Sequence, residues 1–160
     1  MDVETKEIAQ EVVDDLRGRF LTFYIGEALY GIELLHIADI LSVQPITYVP
    51  GLPHYFKGVI NLRGKVVPII SVRLKFGQQE REFDDKTCII VVNISEMQVG
   101  LIVDRVAEVV TVRGEDRNPP PDLGNRSGGE RYLSSIVKIG DKVVLNIDCD
   151  KFFQSDRRLY

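Results

Sequence analysis

Asn61 and Arg63 alternate into an otherwise apolar run, KGVINLRGKVVPI at 57–69. Residues two apart on an extended strand share a face, so Val59, Asn61 and Arg63 are expected to point one way and Ile60 and Leu62 the other, into a core. Arg63 offers a rigid fork of donors suited to carboxylates and carbonyls, and Asn61 can pair with backbone or with a partner's amide. Inside a monomer the same residues have plainer uses: Asn61 can cap the nearby turn, and Arg63 can pair with Asp39 or Glu108. The stretch also imitates a phosphate loop. However, five residues separate Gly58 from Gly64 where the Walker pattern has four, and Val66 stands where a magnesium-binding Ser or Thr is required. Nucleotide binding is excluded there.

Other chemistry is thin. The sequence has no GxSxG elbow, no HExxH and no Cys with an activating His nearby. Glu80, Glu82, Asp84 and Asp85 form a charged linker that reads as solvated surface. His36 and His54 stand alone, and Asp148 and Asp150 lack the further oxygen ligands of a calcium loop. Cys88 and Cys149 occupy separate apolar runs without CxxC spacing, so two buried free thiols are expected, with a disulfide only if the fold brings them together. Asn93-Ile94-Ser95 and Asn125-Arg126-Ser127 match the glycosylation pattern, which a cytoplasmic chain does not use. These readings point to a non-enzymatic protein without metal or cofactor.

The chain has 160 residues, 44% hydrophobic and 28% charged, with a net charge of −4. Such a length can bury roughly 70% of its unfolded surface without staples. The acidic balance argues against a nucleic-acid partner, which needs a concentrated basic face. No apolar run approaches the roughly 20 residues of a membrane span, and the N-terminus lacks a signal-peptide core. A cytoplasmic location is expected, with no direct membrane insertion.

The elements that must carry Asn61 and Arg63 are short β-strands. Residues 1–17 hold Ile8, Val12 and Leu16 at four-residue intervals, a weak amphipathic helix. From Phe20 onward, β-branched and aromatic runs alternate with turn signals such as Gly26-Glu27, Gly64-Lys65 and Gly140-Asp141. Pro68 inside its run is expected at an edge or bulge. Leu34, Ile37, Ala38 and Leu41 at i, i+3, i+4, i+7 read as a helical turn. An internal repeat organises the whole. YGIELLHIADILSV at 30–43 lies over VGLIVDRVAEVVTV at 99–112, with Gly31 matching Gly100 at an offset of 69. KVVPIISVRLKF at 65–76 lies over KVVLNIDCDKFF at 142–153, with Val66 matching Val143 at an offset of 77. The additional residues of the second copy belong to a Pro-, Gly- and charge-rich loop within 113–131. The expected fold is all-β: two small closed barrels related by duplication, with short helical turns. Its parts are an N-terminal segment at 1–17, a first half at 18–79, a second at 85–153 and a tail at 154–160. The duplication leaves room for strands to exchange between barrels.

With GVINLRGKVVPIISVRLKFG at 58–77 following YGIELLHIADI at 30–40, and VGLIVDRVAEVV at 99–110, the chain resembles the CheW family over residues 18–153. The resemblance implies two SH3-like five-stranded barrels. It also implies an adaptor coupling methyl-accepting chemoreceptors to the histidine kinase CheA, docking to the receptors' cytoplasmic tip and to the CheA regulatory domain. Carried over position by position, it assigns Asn61, Arg63, Val99, Gly100 and Val103 to the receptor and Ile37, Asp39 and Gly58 to the kinase. Asp39 stands where the family commonly has Glu. Val99 and Val103 also read as core, and Gly100 as a close backbone approach. Three alternatives remain at this level: the same scaffold in a parallel pathway controlling pili or surface behaviour, a nucleic-acid-binding barrel, and a flavin-binding barrel enzyme, which would be yellow on purification. The second lacks a basic stripe interleaved with stacking aromatics.

Overall fold

The computed structural model describes residues 3–119 and 129–154. The centre of the 113–131 loop with Asn125-Arg126-Ser127, and the tail beyond residue 154, lie outside the described residues. The chain opens with helix α1 (Val3–Leu16), on which Ile8 is exposed. The strands are β1 (Arg19–Ile25), β2 (Ala28–Glu33), β3 (Ile37–Ser42), β4 (Phe56–Leu62) and β5 (Lys65–Ser71), then β6 (Cys88–Ile94), β7 (Met97–Val103), β8 (Arg105–Thr111), β9 (Arg117–Asn118), β10 (Leu133–Ile139) and β11 (Lys142–Ile147). Helices α2 (Val72–Lys75) and α3 (Cys149–Phe153) follow β5 and β11.

The strands form two sheets, in the orders β3-β6-β7-β5-β4 and β8-β1-β2-β11-β10-β9. The repeat offsets carry β1, β2 and β3 onto β6, β7 and β8, and β4 and β5 onto β10 and β11. The two sheets therefore have one topology with the copies interchanged. Each copy lends its leading hairpin to the sheet that holds the rest of the other. The loan is made at two parallel pairings, β5 with β7 at Ile69↔Gly100 and β11 with β2 at Asn146↔Gly31, which are equivalent positions. The first barrel closes through Thr47, whose N–H and carbonyl both bond Val59 on β4, at 2.8 and 2.9 Å. In the second, β9 occupies the equivalent place against Val137 and Ile136 of β10, which raises that sheet to six strands.

Burial explains the unbroken apolar runs. A strand covered on both faces has no place for alternating polar residues. On β6 and β7, Ile89, Val91 and Ile102 join Ile60, Val67 and Ile69 inside the first barrel. The opposite faces, Ile90, Val92, Val99, Leu101 and Val103, enter a larger core shared with Leu21, Phe23, Tyr30, Ile32 and Ile147 of the second sheet. Helices α2 and α3 seal this junction and are capped alike: Ser71 Oγ accepts from Leu74 N–H at 3.3 Å and Asp148 Oδ1 from Lys151 N–H at 3.1 Å. The Lys75 ammonium of α2 lies 4.6 Å from the ring centre of Phe152 and 4.7 Å from that of Tyr55, a buried cation held against aromatic faces.

Three local expectations change. The turn read across Leu34–Leu41 is a single 3-10 turn, Leu34–His36, after which the chain extends into β3. Its apolar spacing fits a helix, but β3 alternates half-buried and exposed residues and pairs along β6, so the sheet overrides the local pattern. Strand β5 is flanked by β7 and β4 and is no edge, but Pro68 does sit beside the irregularity of β4 between Phe56 and Gly58. Pro68 is tolerated because the β7 ladder begins only at Ile69. Cys88 and Cys149 are free but only half-buried. Burial, with the carboxylates of Asp148, Asp150 and Glu33 adding to it, pushes the Cys149 thiol up to about 12. It stays a protonated, inert packing group.

Candidate interaction surface

The β4–β5 hairpin turns on Arg63 and Gly64, whose φ values are 53° and 85°. A two-residue turn with both central residues left-handed matches the twist of its strands and usually recruits Asn-Gly. Here a bulky arginine accepts that backbone, and Asn61 stabilises it: Asn61 Oδ1 accepts from Gly64 N–H at 2.9 Å. The turn throws the Arg63 side chain outward, 79% exposed, where Nη2 donates to Asp39 Oδ2 of β3 at 3.1 Å. Asp39 is held in turn by Ile40 N–H, which donates to its Oδ1 at 2.9 Å. Across the hairpin from Asn61 stands Val66, an apolar side chain left in solvent. The result is a protruding tip with an amide committed to the turn, a guanidinium held at one end and open elsewhere, and an apolar neighbour. Both intramolecular uses foreseen for Asn61 and Arg63 are realised, with Asp39 taken over Glu108.

The remaining candidate residues lie deeper. Val99 and Val103 are fully packed in the shared core. Gly100 faces the first barrel's interior, where an added Cβ would lie 2.6 Å from Ile69 Cδ1 and 2.8 Å from Ile89 Cγ2. Gly58 is buried at a φ of 136°, and an added Cβ would run into the Thr47 carbonyl that closes the barrel. Ile37 is half-buried against the shared core. The structure thus brings Asn61, Arg63 and Asp39 to one surface and leaves Val99, Gly100, Val103, Gly58 and Ile37 supporting the frame.

A second ion pair escaped the sequence reading. Arg73 Nε and Nη2 donate to Asp104 Oδ1 and Oδ2 at 2.8 and 2.5 Å, and Gly26 N–H adds a bond to Oδ2 at 2.6 Å. Arg81 of the linker approaches the same oxygen at 3.5 Å and pairs with Asp84 at 2.9 Å. Asp104 lies between β7 of one sheet and β8 of the other, so it pins the crossover itself. Burial pushes its carboxyl up, but the Arg73 hydrogen bonds, the Gly26 N–H and the charges of Arg73 and Arg81 outweigh this and hold it below the usual carboxylate range. The sequence does carry a signal: the repeat places Leu35 where Asp104 stands, an acid gained at an otherwise matching position. The linker carboxylates are also partly engaged, since Glu80 pairs with Lys57.

Among the described residues, no group of three His, Cys, Asp or Glu could hold a metal ion, and no helix is long and apolar enough to cross a membrane. Comparisons with known proteins agree with the architecture. The chemotaxis protein CheW of Klebsiella aerogenes is 35% identical over 137 residues, covering 86% of this chain and 82% of that one. That of Treponema pallidum is 33% identical over 147 residues, covering 89% and 86%. The crystal structure of the scaffolding protein TtCheW from Thermoanaerobacter tengcongensis superposes with a TM-score of 0.79 at 30% identity, over 87% of this chain and 94% of that one. The CheW-like domain family matches residues 19–157, which takes in both exchanged hairpins and the Arg63–Asp39 tip, and with that match the chain belongs to the CheW-like domain family.

Proposed function

We propose that this protein is a chemotaxis coupling adaptor, a scaffold without chemistry of its own that links the cytoplasmic tip of methyl-accepting chemoreceptors to the regulatory domain of CheA. Family membership and the names of its relatives support the adaptor role. The partners follow from the resemblance, and with them a cytoplasmic position beside receptor arrays. The observation that carries the reading to particular residues is the exposed guanidinium of Arg63, held by Asp39 on a rigid hairpin tip. Such a group is organised in advance for carboxylates or carbonyls on a partner helix. Asn61 and Arg63 form the receptor side, with Val99, Gly100 and Val103 setting the position of β7 beneath it. Asp39 serves the kinase side, with Ile37 and Gly58 fixing β3 and the barrel closure around it. Because Arg63 and Asp39 touch, the two sides meet at one ion pair, and a partner drawing on either charge acts on the other. The halves at 18–79 and 85–153 work as one unit.

Calorimetry of the purified chain with a soluble receptor tip fragment and, separately, with a CheA regulatory domain tests this. Wild type binds both, Arg63→Ala weakens the first and Asp39→Ala the second, with folding intact. Binding to neither partner would falsify the adaptor reading. Loss of both partners in either single variant would retain the adaptor and remove the division of faces.

A further inference from the structure

The two barrels have the same topology but different linings. Inside the first, Ile60, Val67, Ile69, Ile89, Val91 and Ile102 are all aliphatic. At the positions matching Val91, Gly58 and Ile69, the second barrel carries Thr22, Ser135 and Asn146, all buried. Thr22 is satisfied: its hydroxyl donates to Glu108 O at 2.6 Å and accepts from Glu108 N–H at 3.0 Å, closing the irregularity between β1 and β8. Asn146 is satisfied on one side only. Nδ2 donates to Ser135 Oγ at 3.1 Å, while Oδ1, on a residue with 0% exposure, has no donor among the described residues. That oxygen lies over Gly31, 2.5 Å from where a Cβ would stand, as Ile69 Cδ1 lies over Gly100 in the first barrel. Gly31 offers a Cα–H there, a weak donor at best. Turning the amide over only exchanges the orphaned oxygen for an orphaned nitrogen.

We propose that Asn146 makes the second barrel the compliant one: its β2–β11 pairing opens and recloses in the native protein, while the matching β7–β5 pairing of the first barrel stays shut. An unsatisfied buried polar atom disfavours the closed state, and opening lets water reach it. The strained place is the parallel seam where one hairpin has been lent across, so opening changes how the second barrel holds its borrowed strands without breaking the first.

Amide hydrogen exchange on the full chain reads this directly, since local opening sets the exchange rate. In wild type, the amides of β2 and β11 exchange faster than those of β7 and β5. Asn146→Ile together with Ser135→Ala, which gives the seam the first barrel's apolar lining without leaving the Ser135 hydroxyl unpartnered, slows β2 and β11 by about tenfold and leaves β5–β7 unchanged. Asn146→Leu, again with Ser135→Ala, serves as a second replacement should a branched side chain strain β11. Conversely, Ile69→Asn speeds the β5–β7 seam to at least the wild-type rate of β2–β11, since Gly58 offers its amide no hydroxyl. The proposal is overturned if the first seam exchanges as fast as the second in wild type. It is equally overturned if both replacements of Asn146 speed exchange in β11, leave it unchanged or fail to fold, since the amide would then be a satisfied structural group.

Discussion

Arg63–Asp39 and Arg73–Asp104 are the same chemical pair put to opposite uses. The first joins a hairpin tip to β3 through a single contact, with the arginine side chain 79% exposed. The second is a two-point fork on a carboxylate whose side chain is only 9% exposed, with a backbone N–H as third donor. Exposed pairs contribute about 0–1 kcal/mol, because water competes for both charges and two side chains lose freedom. Breaking a largely buried pair leaves a charge without its partner and costs several kcal/mol. Burial, not residue type, decides which pair holds the molecule together and which remains available to a visitor.

The largest effect is expected from Asp104→Ala, which strands Arg73 and frees the Gly26 turn; urea unfolding loses about 2–3 kcal/mol. Arg73→Ala costs less, because Asp104 keeps the Gly26 N–H and Arg81 inherits the charge. A loss for Asp104→Ala no greater than for Asp39→Ala would erase the contrast. Acid comes next. Asp104 has a folded pKa below its unfolded value, so its contribution is present above the unfolded value of about 3.9 and fades as pH falls through the folded one. Stability measured from pH 6 to 2 drops more steeply in wild type than in Asp104→Asn. Replacing the exposed partner, Arg63→Ala, changes stability by less than about 1 kcal/mol while weakening receptor-tip binding. The smallest change sharpens the point: Arg63→Asn suits the left-handed turn better and leaves stability equal or slightly raised, by about 0.5 kcal/mol, yet loses the same binding as Arg63→Ala.

The fold was largely legible because duplication wrote it twice. Matching Gly31 with Gly100 and Val66 with Val143 marks the two copies and their hairpins without any structure. The exchange itself was not legible, because identical topologies satisfy the same apolar patterns whether a hairpin pairs within its own copy or with the other. At the surface, alternation along the strand put Asn61 outward, whereas Arg63 reaches the surface from the left-handed turn that follows Leu62, and charge offered Asp39 or Glu108 as its partner. What alternation could not say is that Val99 and Val103 enter a core made by both sheets, since a strand buried on both faces offers no polar face to mark its orientation. Asp104 was missed because its partners, Gly26 and Arg73, are far from it in sequence.

Strand exchange also sets a clock. Hairpin β1–β2 leaves the ribosome well before its neighbours, β8 on one side and β11 on the other. At translation rates of about 5–20 residues per second, the wait for β11 is roughly ten seconds. Until β8 and then β11 arrive, Phe20, Leu21 and Phe23 lie on an incomplete sheet, whereas β3, β4 and β5 need only β6 and β7 to complete the first barrel. Of the strands, the hairpin made earliest is therefore finished last, and the nascent sheets are most exposed to aggregation at β1 and β2.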